Sequence, residues 1–309
     1  MTGARGRRPR GEKRLTHPHA SQGHEPARER PLPATDPDAA PAVEIVSAGN
    51  EVLLGDVVDT NSNWLCKRVT ALGGHVRRTV MVRDEVEAIA DELRAALSRR
   101  PQLIFTVGGL GPTQDDLTLQ GVALALGRPL ELHPEAERMV REKYAEFAAR
   151  GFVPFAEMNA ARLKMARLPR GATPLRNPVG GAPGVLLESA GTTIVSLPGV
   201  PEELYAIVSE SLRERLTAIF GAAAYEERAL VVDTQDESAI SDILLETHNG
   251  HPRVYVKSRA KQLGPGERKL RVTLSARGET PREVAALLET PLEELRTKIT
   301  ARGFAVADQ

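Results

Sequence analysis

The sequence predicts an α/β protein with a mainly parallel sheet, followed by a small α+β unit. Short apolar runs alternate with segments of helical period between residues 43 and 126. A glycine-rich turn joins the third apolar run to the next helix, and the order of elements changes after residue 221. Because strands that alternate with helices pair in parallel through right-handed crossovers, the first unit should be a parallel sheet covered by helices.

The first three strands are predicted at residues 43–48, 75–82 and 103–107, where apolar and β-branched side chains cluster. A glycine or an acidic residue follows each of them within two positions. Ligands of parallel sheets bind beyond the carboxyl ends of the strands. The residues that follow these strands are therefore the first candidates for a site.

The helices between these strands begin at polar residues. Asn61 or Ser62 is the predicted cap of the first helix, and Asp84 can cap the second. The third helix is predicted over residues 117–126 and ends at Gly127. Further along, the pattern predicts a helix from Pro134, an amphipathic helix over 156–166, two strands over 185–188 and 192–197, and a helix over 201–220.

The last part of the chain has a β-α-β-β-α order, which is typical of a small α+β unit. The predicted elements are strands over 225–233, 253–258 and 269–276, helices over 237–247 and 281–301, and a glycine/proline loop over 260–267. We therefore expect domains at 42–221 and 222–309.

Composition excludes several classes of protein. Lys+Arg and Asp+Glu are both 41, so the chain has no net charge that would indicate a nucleic-acid binder. Cys66 is the single cysteine, which excludes an internal disulfide framework and fits the reducing cytoplasm, where we expect the protein. No apolar run reaches the roughly 20 residues of a transmembrane helix, so we expect no membrane partner.

Residues 1–41 are predicted to be a disordered basic tail. Arginines cluster there without apolar periodicity, and prolines and alanines follow them. A nucleic-acid-binding arm is the alternative, but no aromatic residues lie between the arginines for base stacking. We therefore expect a solvated tail and no nucleic-acid partner.

The most specific feature is the turn between the third strand and its helix. Glycines at such a turn let backbone N–H groups approach an anion. Two adjacent carboxylates would repel a phosphate unless a divalent cation lay between them. The sequence thus predicts a phosphate site with a hard metal, in which Asp116 is the stronger candidate and Asp115 is alternatively a helix cap. The turn contains Gly108, Gly109, Gly111, Pro112, Thr113, Asp115 and Asp116.

Other polar residues are expected at the same edge of the sheet. Asp84 follows the second strand, and Glu51 follows the first. The loop from Glu51 to Asn61 is long for a strand–helix connection, which usually indicates a ligand site. Asp59, Thr60 and Asn61 offer polar groups at a helix start for an anion or a ribose, and Glu51 is expected to bind the metal or to hold the loop.

Two later segments complete the candidate site. Asn177, Gly180 and Gly184 lie in a stretch of small residues that could form a second backbone cradle, or else an interface or hairpin turn. Lys164 could neutralise phosphate charge, and so could Arg162 unless it lies on a solvated helix face.

These segments, taken together, resemble a known family. Residues 43–220 resemble the competence/damage-inducible protein A family, a branch of the molybdopterin-binding fold. The resemblance rests on GNEVLLG at 49–55, DTNS at 59–62, VRD at 82–84, GGLGPTQDDLT at 108–118, Asn159, KMA at 164–166, NPVG at 177–180, APG at 182–184 and LPGVP at 197–201.

The resemblance implies a three-layer α/β fold with a nucleotide or pterin phosphate site at the glycine turn, to which Asp84 and Asp116 belong. Some members hydrolyse the pyrophosphate of ADP-ribose or a related dinucleotide with a divalent metal, so Mg²⁺, Mn²⁺ or Co²⁺ is expected, with K⁺ as a further candidate. Members commonly form dimers or trimers, which implies a homo-oligomer. The C-terminal unit resembles the KH-like appendage of this family.

Two functions follow from these expectations. One is a metal-dependent pyrophosphatase in which Asp84, Asp116 and Lys164 are catalytic and Asp84, Asp115 and Asp116 hold the metal. The alternative is a protein that binds molybdopterin or a nucleotide without turnover.

Overall fold

The structure is a computed structural model that describes residues 40–221, 224–264 and 267–309. Almost all of the predicted basic tail, residues 1–39, lies outside the described residues. The strands are β1 Ala42–Ala48, β2 His75–Val82, β3 Leu103–Val107, β4 Leu130–Leu132, β5 Arg167–Pro169, β6 Thr173–Leu175, β7 Gly184–Ser189, β8 Thr192–Leu197, β9 Ala224–Val232, β10 Val254–Gly264, β11 Glu267–Gly278 and β12 Val306–Asp308. The α-helices are α1 Asn50–Leu53, α2 Thr60–Ala71, α3 Val86–Ser98, α4 Thr118–Leu126, α5 Pro134–Ala149, α6 Ala160–Lys164, α7 Pro201–Ala206, α8 Arg213–Phe220, α9 Ser241–Gly250 and α10 Pro281–Ala301.

The central sheet has six strands in the order β2-β1-β3-β8-β7-β6. The four strands β2, β1, β3 and β8 are parallel, as the alternating pattern predicts. The strands β7 and β6 are antiparallel to their neighbours, because β7 and β8 are joined by a tight turn that reverses the chain. The sheet is therefore mainly parallel, with an antiparallel edge.

Helices cover both faces of this sheet, which confirms the three-layer prediction. Successive residues of a strand point to opposite faces. Ile45 and Phe105 pack with α2, α7 and α8 on one face. Val46 and Ile104 pack with α3, α4 and α5 on the other. Each fully buried side chain of this size contributes about 1.5–3 kcal/mol of transfer free energy.

Two predicted helix caps are wrong. Asp59, rather than Asn61 or Ser62, caps α2, because its carboxylate accepts a hydrogen bond from the Ser62 N–H at 2.8 Å. Glu85 precedes α3 without a side-chain cap, and Asp84 turns instead toward the loop after β1. That loop also contains the short helix α1, which the sequence did not predict.

Two predicted helices are shorter than expected. The segment predicted as a helix over 156–166 is helical only in α6. The helix predicted over 201–220 is divided by a π-helical turn at Ile207–Ser211. Ile207 and Val208 are buried in that turn, so the wider turn keeps this segment packed on the sheet.

The second sheet is antiparallel and has the order β10-β11-β9-β12. Leu230 and Val272 on one of its faces pack with Ile243 of α9 and Leu288 of α10. The loop predicted over 260–267 is mostly strand, since the β10–β11 pairing continues to Gly264 and Glu267. Strand β12 was not predicted. The domain limits at 42–221 and 222–309 remain predictions.

The two sheets meet through a few specific contacts. The Arg277 guanidinium donates a hydrogen bond to the carbonyl oxygen of Phe220 at 3.4 Å. The same side chain lies against Gly73, which follows α2. No helix in the three described ranges is long and apolar enough to cross a bilayer.

Candidate functional site

The carboxyl ends of the parallel strands form one continuous rim. The Gly49 N–H after β1 donates to Val82 O at the end of β2, at 3.2 Å. The Gly108 N–H after β3 donates to Leu197 O at the end of β8, at 2.9 Å. The loops that follow these strands are thus bound to each other, as the sheet topology predicts.

Two glycines at the start of the turn are required by its geometry. Gly108 has φ +91°, and a Cβ there would lie 2.2 Å from the carbonyl oxygen of Ala48. Gly109 has φ +61°, and a Cβ would lie 2.5 Å from the Thr118 hydroxyl oxygen. Only glycine satisfies both the positive φ and the close approach.

The two aspartates of the turn surround one threonine. Asp116 Oδ2 accepts hydrogen bonds from the Thr113 N–H at 2.7 Å and from its hydroxyl at 2.6 Å. Asp115 Oδ1 lies against the same hydroxyl. A hydroxyl carries one proton, so it donates to one carboxylate at a time. The carboxylate that receives no proton is repelled by the hydroxyl oxygen, and a cation beside it would relieve this repulsion.

Gly111 allows Asp116 to lie in this position. A Cβ on Gly111 would lie 2.7 Å from Asp116 Oδ2 and 3.1 Å from its Cγ. The hydrogen bond from Thr113 lowers the pKa of Asp115. Asp115 therefore stays ionised beside the turn.

Helix α4 begins at this turn without a capping side chain. Leu117 occupies the cap position, and the first turn of α4 carries no acidic residue. The alternative role of Asp115 as helix cap is therefore wrong. Within the described residues, the N–H groups of Leu119 and Gln120 have no hydrogen-bond partner. An uncapped helix start with free N–H groups favours an anion.

A pocket opens at this helix start. It is formed by the glycine turn, the first turn of α4 and the end of α6, and a leucine and an arginine from β4 and β5 complete its wall. Its lining residues are Gly109, Leu110, Gly111, Asp116, Leu119, Gln120, Leu130, Lys164 and Arg167.

Asp84 lies close to the acids of the turn. Its Oδ2 accepts a hydrogen bond from the Asn50 N–H at 2.8 Å, which ties the loop after β2 to the loop after β1. Burial raises the pKa of Asp84 above its ordinary value, and repulsion from Glu51, Asp115 and Asp116 raises it further, against the effect of Asn50. The four carboxylates thus share one rim.

The positions of the carboxylates limit the kind of metal site that this rim can form. In the part of the chain that the structure describes, no three His, Cys, Asp or Glu side chains converge as metal ligands. Mg²⁺ usually binds one or two protein carboxylates together with phosphate oxygens and water. Asp116, together with Asp115 or Asp84, is therefore suited to a cation that binds with a phosphorylated ligand rather than to one that the protein holds alone, and the predicted set of three metal-binding aspartates is not preformed.

Lys164 lines the pocket, but its ammonium is hydrogen-bonded to the glycine turn. Its ammonium donates to the carbonyl oxygens of Gly111 at 3.1 Å, Thr113 at 2.6 Å and Asp116 at 2.6 Å. Burial lowers the pKa of Lys164, and the nearby Asp116 and Asp115 oppose this shift. Its predicted role as a free charge for phosphate does not agree with these contacts.

The start of α2 contributes a polar wall to the rim. Asn61 Nδ2 donates to Gly199 O at 2.7 Å, which joins α2 to the loop after β8. Thr60 uses its N–H within the loop, bonding Val58 O at 2.7 Å. Because the Asp59 carboxylate already caps this helix, an anion is disfavoured there, and the ribose contact is the one of the two predicted contacts that remains.

Several buried oxygens of this rim have no partner within the described residues. They belong to side chains at the starts of α2 and α4, where a ligand hydroxyl or water would satisfy them. Thr118 was not predicted as a site residue and Ser62 was predicted only as a cap, although both lie in the motifs at 59–62 and 108–118. The atoms are Asp59 Oδ2, Asn61 Oδ1, Ser62 Oγ and Thr118 Oγ1.

The predicted second cradle at Asn177 is a structural loop, which corrects the prediction. Asn177 Oδ1 accepts from the N–H groups of Val179 and Gly180, and its Nδ2 donates to Ala182 O and Glu203 Oε2. No donor or acceptor of this side chain remains for a ligand.

The glycines of this loop serve packing. A Cβ on Gly180 would lie 2.0 Å from the Glu203 carboxylate, and one on Gly184 would lie 3.1 Å from the Ile207 side chain. Burial raises the pKa of Glu203, a residue that the sequence analysis did not select. A separate cleft of about 330 Å³ beside the loop is lined by both charge signs, including Arg138 and Lys143.

Comparison with known proteins agrees with the observed fold. A family model described as a probable molybdopterin binding domain, MoCF_biosynth, matches residues 44–218. A protein of Aeropyrum pernix is 43% identical over 269 residues, covering 87% of this chain and 97% of that protein. A protein of Pyrobaculum calidifontis is 41% identical over 255 residues, covering 82% and 94%.

One solved structure is also similar. It is CinA from Thermoplasma acidophilum, described as having unknown function, with 34% sequence identity and a TM-score of 0.51. The match covers 57% of this chain and 98% of that one. The resemblance seen in the motifs is confirmed, and the chain belongs to the MoCF_biosynth family of probable molybdopterin binding domains.

Proposed function

We propose that this protein is a divalent-metal-dependent pyrophosphatase that cleaves ADP-ribose or a related dinucleotide at the glycine turn. The observation that carries the proposal is the start of α4, where free N–H groups and two carboxylates occur together. Free N–H groups bind phosphate oxygens, whereas carboxylates bind a cation. A diphosphate with a divalent cation satisfies both groups at once.

Different groups of the chain would bind the diphosphate and the cation. N–H groups of the turn and of Leu119 and Gln120 would bind the diphosphate and receive the oxygen charge that develops in the transition state. Asp116 and Asp84 would hold the cation, which supplies positive charge to the phosphates when bound.

The reaction adds water across the pyrophosphate bond of ADP-ribose and gives AMP and ribose 5-phosphate. The test is incubation of the purified protein with ADP-ribose and Mg²⁺, Mn²⁺ or Co²⁺, followed by quantification of AMP. Asp116→Asn should lose metal-dependent release by about 100-fold or more, because a charge-stabilising contact is removed. Asp91→Asn is the matched control, since Asp91 is an exposed carboxylate on α3 that pairs with Arg94.

Binding without turnover is the second candidate, favoured by the family description as a binding domain. Calorimetry with ADP-ribose and molybdopterin separates the two functions. Binding without AMP release would support the second candidate. AMP release that Asp116→Asn leaves unchanged would overturn the proposed active site. A homo-oligomer in the cytoplasm remains our expectation for either function.

A further inference from the structure

Lys164 has an unusual set of partners for a surface lysine. All three of its hydrogen bonds go to backbone carbonyl oxygens of one turn, those of Gly111, Thr113 and Asp116. An ammonium has three N–H donors, whereas a neutral amine has only two. Three acceptors at 2.6 to 3.1 Å therefore match the charged form of the side chain.

These contacts set the orientation of the peptide groups in the turn. In a trans peptide, the C=O and the following N–H point to opposite sides. Because the carbonyls of Thr113 and Asp116 point to Lys164, the N–H groups of Gln114 and Leu117 point away from it. Neither N–H group has a hydrogen-bond partner among the described residues.

We propose that Lys164 is a positioning residue whose ammonium acts as an internal cation of the glycine turn. It draws the carbonyl oxygens toward itself, so that the N–H groups of Gln114 and Leu117 face away from it and can donate to an anion. Clustered carbonyl oxygens are also ligands of K⁺, so a small cation should be able to replace the ammonium when the lysine is removed. The effect on the ligand rests on the proposed function, whereas the effect on the turn does not.

The neighbouring structure holds Lys164 in place. Helix α6 begins at Asn159, whose side chain accepts a hydrogen bond from the Arg162 N–H at 2.9 Å. Met165 and Ala166, which follow Lys164 directly, are buried in the core. The lysine thus projects from a fixed point beside the turn, which is what a positioning role requires.

The first measurement needs no ligand. Hydrogen exchange of the Thr113 and Thr118 N–H groups reports the closed turn, because these groups bond Asp116 and Gly109 within it. Lys164→Met should accelerate both by about tenfold or more, since it removes hydrogen bonds from a charged donor. Lys67→Met is the matched control, since Lys67 is exposed on α2.

The second measurement is the affinity for inorganic pyrophosphate with Mn²⁺, which should fall about tenfold or more in Lys164→Met. Ammonium or K⁺ should restore both measurements at constant ionic strength, whereas tetramethylammonium is too large to enter. A purely structural loss would not respond to these ions. Lys164→Gln, which keeps two donors, serves if the methionine variant does not fold.

Three results would overturn the proposal. One is unchanged exchange in both Lys164 variants. Another is lost affinity with unchanged exchange, which would mean that the ammonium contacts the ligand directly. The third is an exchange defect that no small cation restores. If the wild-type protein binds no pyrophosphate, the proposed function fails while the exchange measurement still decides the role of Lys164.

Discussion

Replacing Gly108 with alanine should destabilise the protein much more than the same replacement at Gly55. Both glycines have a positive φ, +91° and +81°. A Cβ at Gly108 would lie 2.2 Å from the carbonyl oxygen of Ala48, whereas a Cβ at Gly55 would have nothing within 4 Å. The two variants therefore share the backbone strain and differ in the collision.

The magnitude follows from these two contributions. The left-handed conformation costs an alanine about 1–2 kcal/mol at either site. The collision at Gly108 is with the backbone of β1, a strand whose seven residues are all buried, so Ala48 cannot move cheaply. We expect the collision to add about 2 kcal/mol or more, giving a total loss of about 3–5 kcal/mol.

Urea unfolding of both variants measures the loss of free energy from the transition midpoint and slope. The melting temperature gives a second measure, with a shift of about 2–4 °C for each kcal/mol in a protein of this size. Equal losses at Gly108 and Gly55 would refute the reasoning, because the close approach of β1 and the turn would then have no energetic consequence.

Two further predictions concern the site. Gly111→Ala should displace the Asp116 carboxylate and weaken Mn²⁺-dependent ADP-ribose binding by about tenfold or more. Gly250→Ala is the control, since a Cβ there meets nothing within 4 Å. Equal affinities of the two variants in calorimetry would contradict this prediction. The raised pKa of Asp84 means that its carboxylate takes up a proton above its ordinary pKa of 3.8. Mn²⁺-dependent ADP-ribose binding should therefore weaken as the pH falls through the raised pKa of Asp84. Asp84→Asn should bind more weakly and should lack this pH dependence. Parallel pH profiles of the wild-type protein and the variant would exclude Asp84 from the site.

Most of the central sheet could be predicted from local pattern. Strands β1, β3 and β8 are short segments rich in β-branched and apolar residues that are buried on both faces, which is typical of parallel strands. The antiparallel edge was less predictable, because β6 is three residues long and its pairing with β7 depends on tertiary contacts. The division of the helix after Pro201 also depends on packing, since its sequence remains periodic through the π-helical turn.

The sequence predicts which residues lie at the rim of the sheet, but not which partners their side chains contact. Asp84 and Asp116 lie on the same rim because the sheet topology brings strand ends together, and topology follows from the order of elements. Asn177 and Lys164 have partners distant in sequence, which no local pattern reveals. A sequence can therefore mark both residues as unusual without telling whether they bind a ligand or shape a loop.

A crystal structure with Mn²⁺ and ADP-ribose would test the central claim most directly. The anomalous signal of Mn²⁺ locates the cation independently of the protein. We predict a peak beside the carboxylates of Asp116 and Asp84, with the diphosphate against the N–H groups at the start of α4. A nucleotide bound instead in the cleft beside Arg138 and Lys143, with no Mn²⁺ at the rim, would contradict the account.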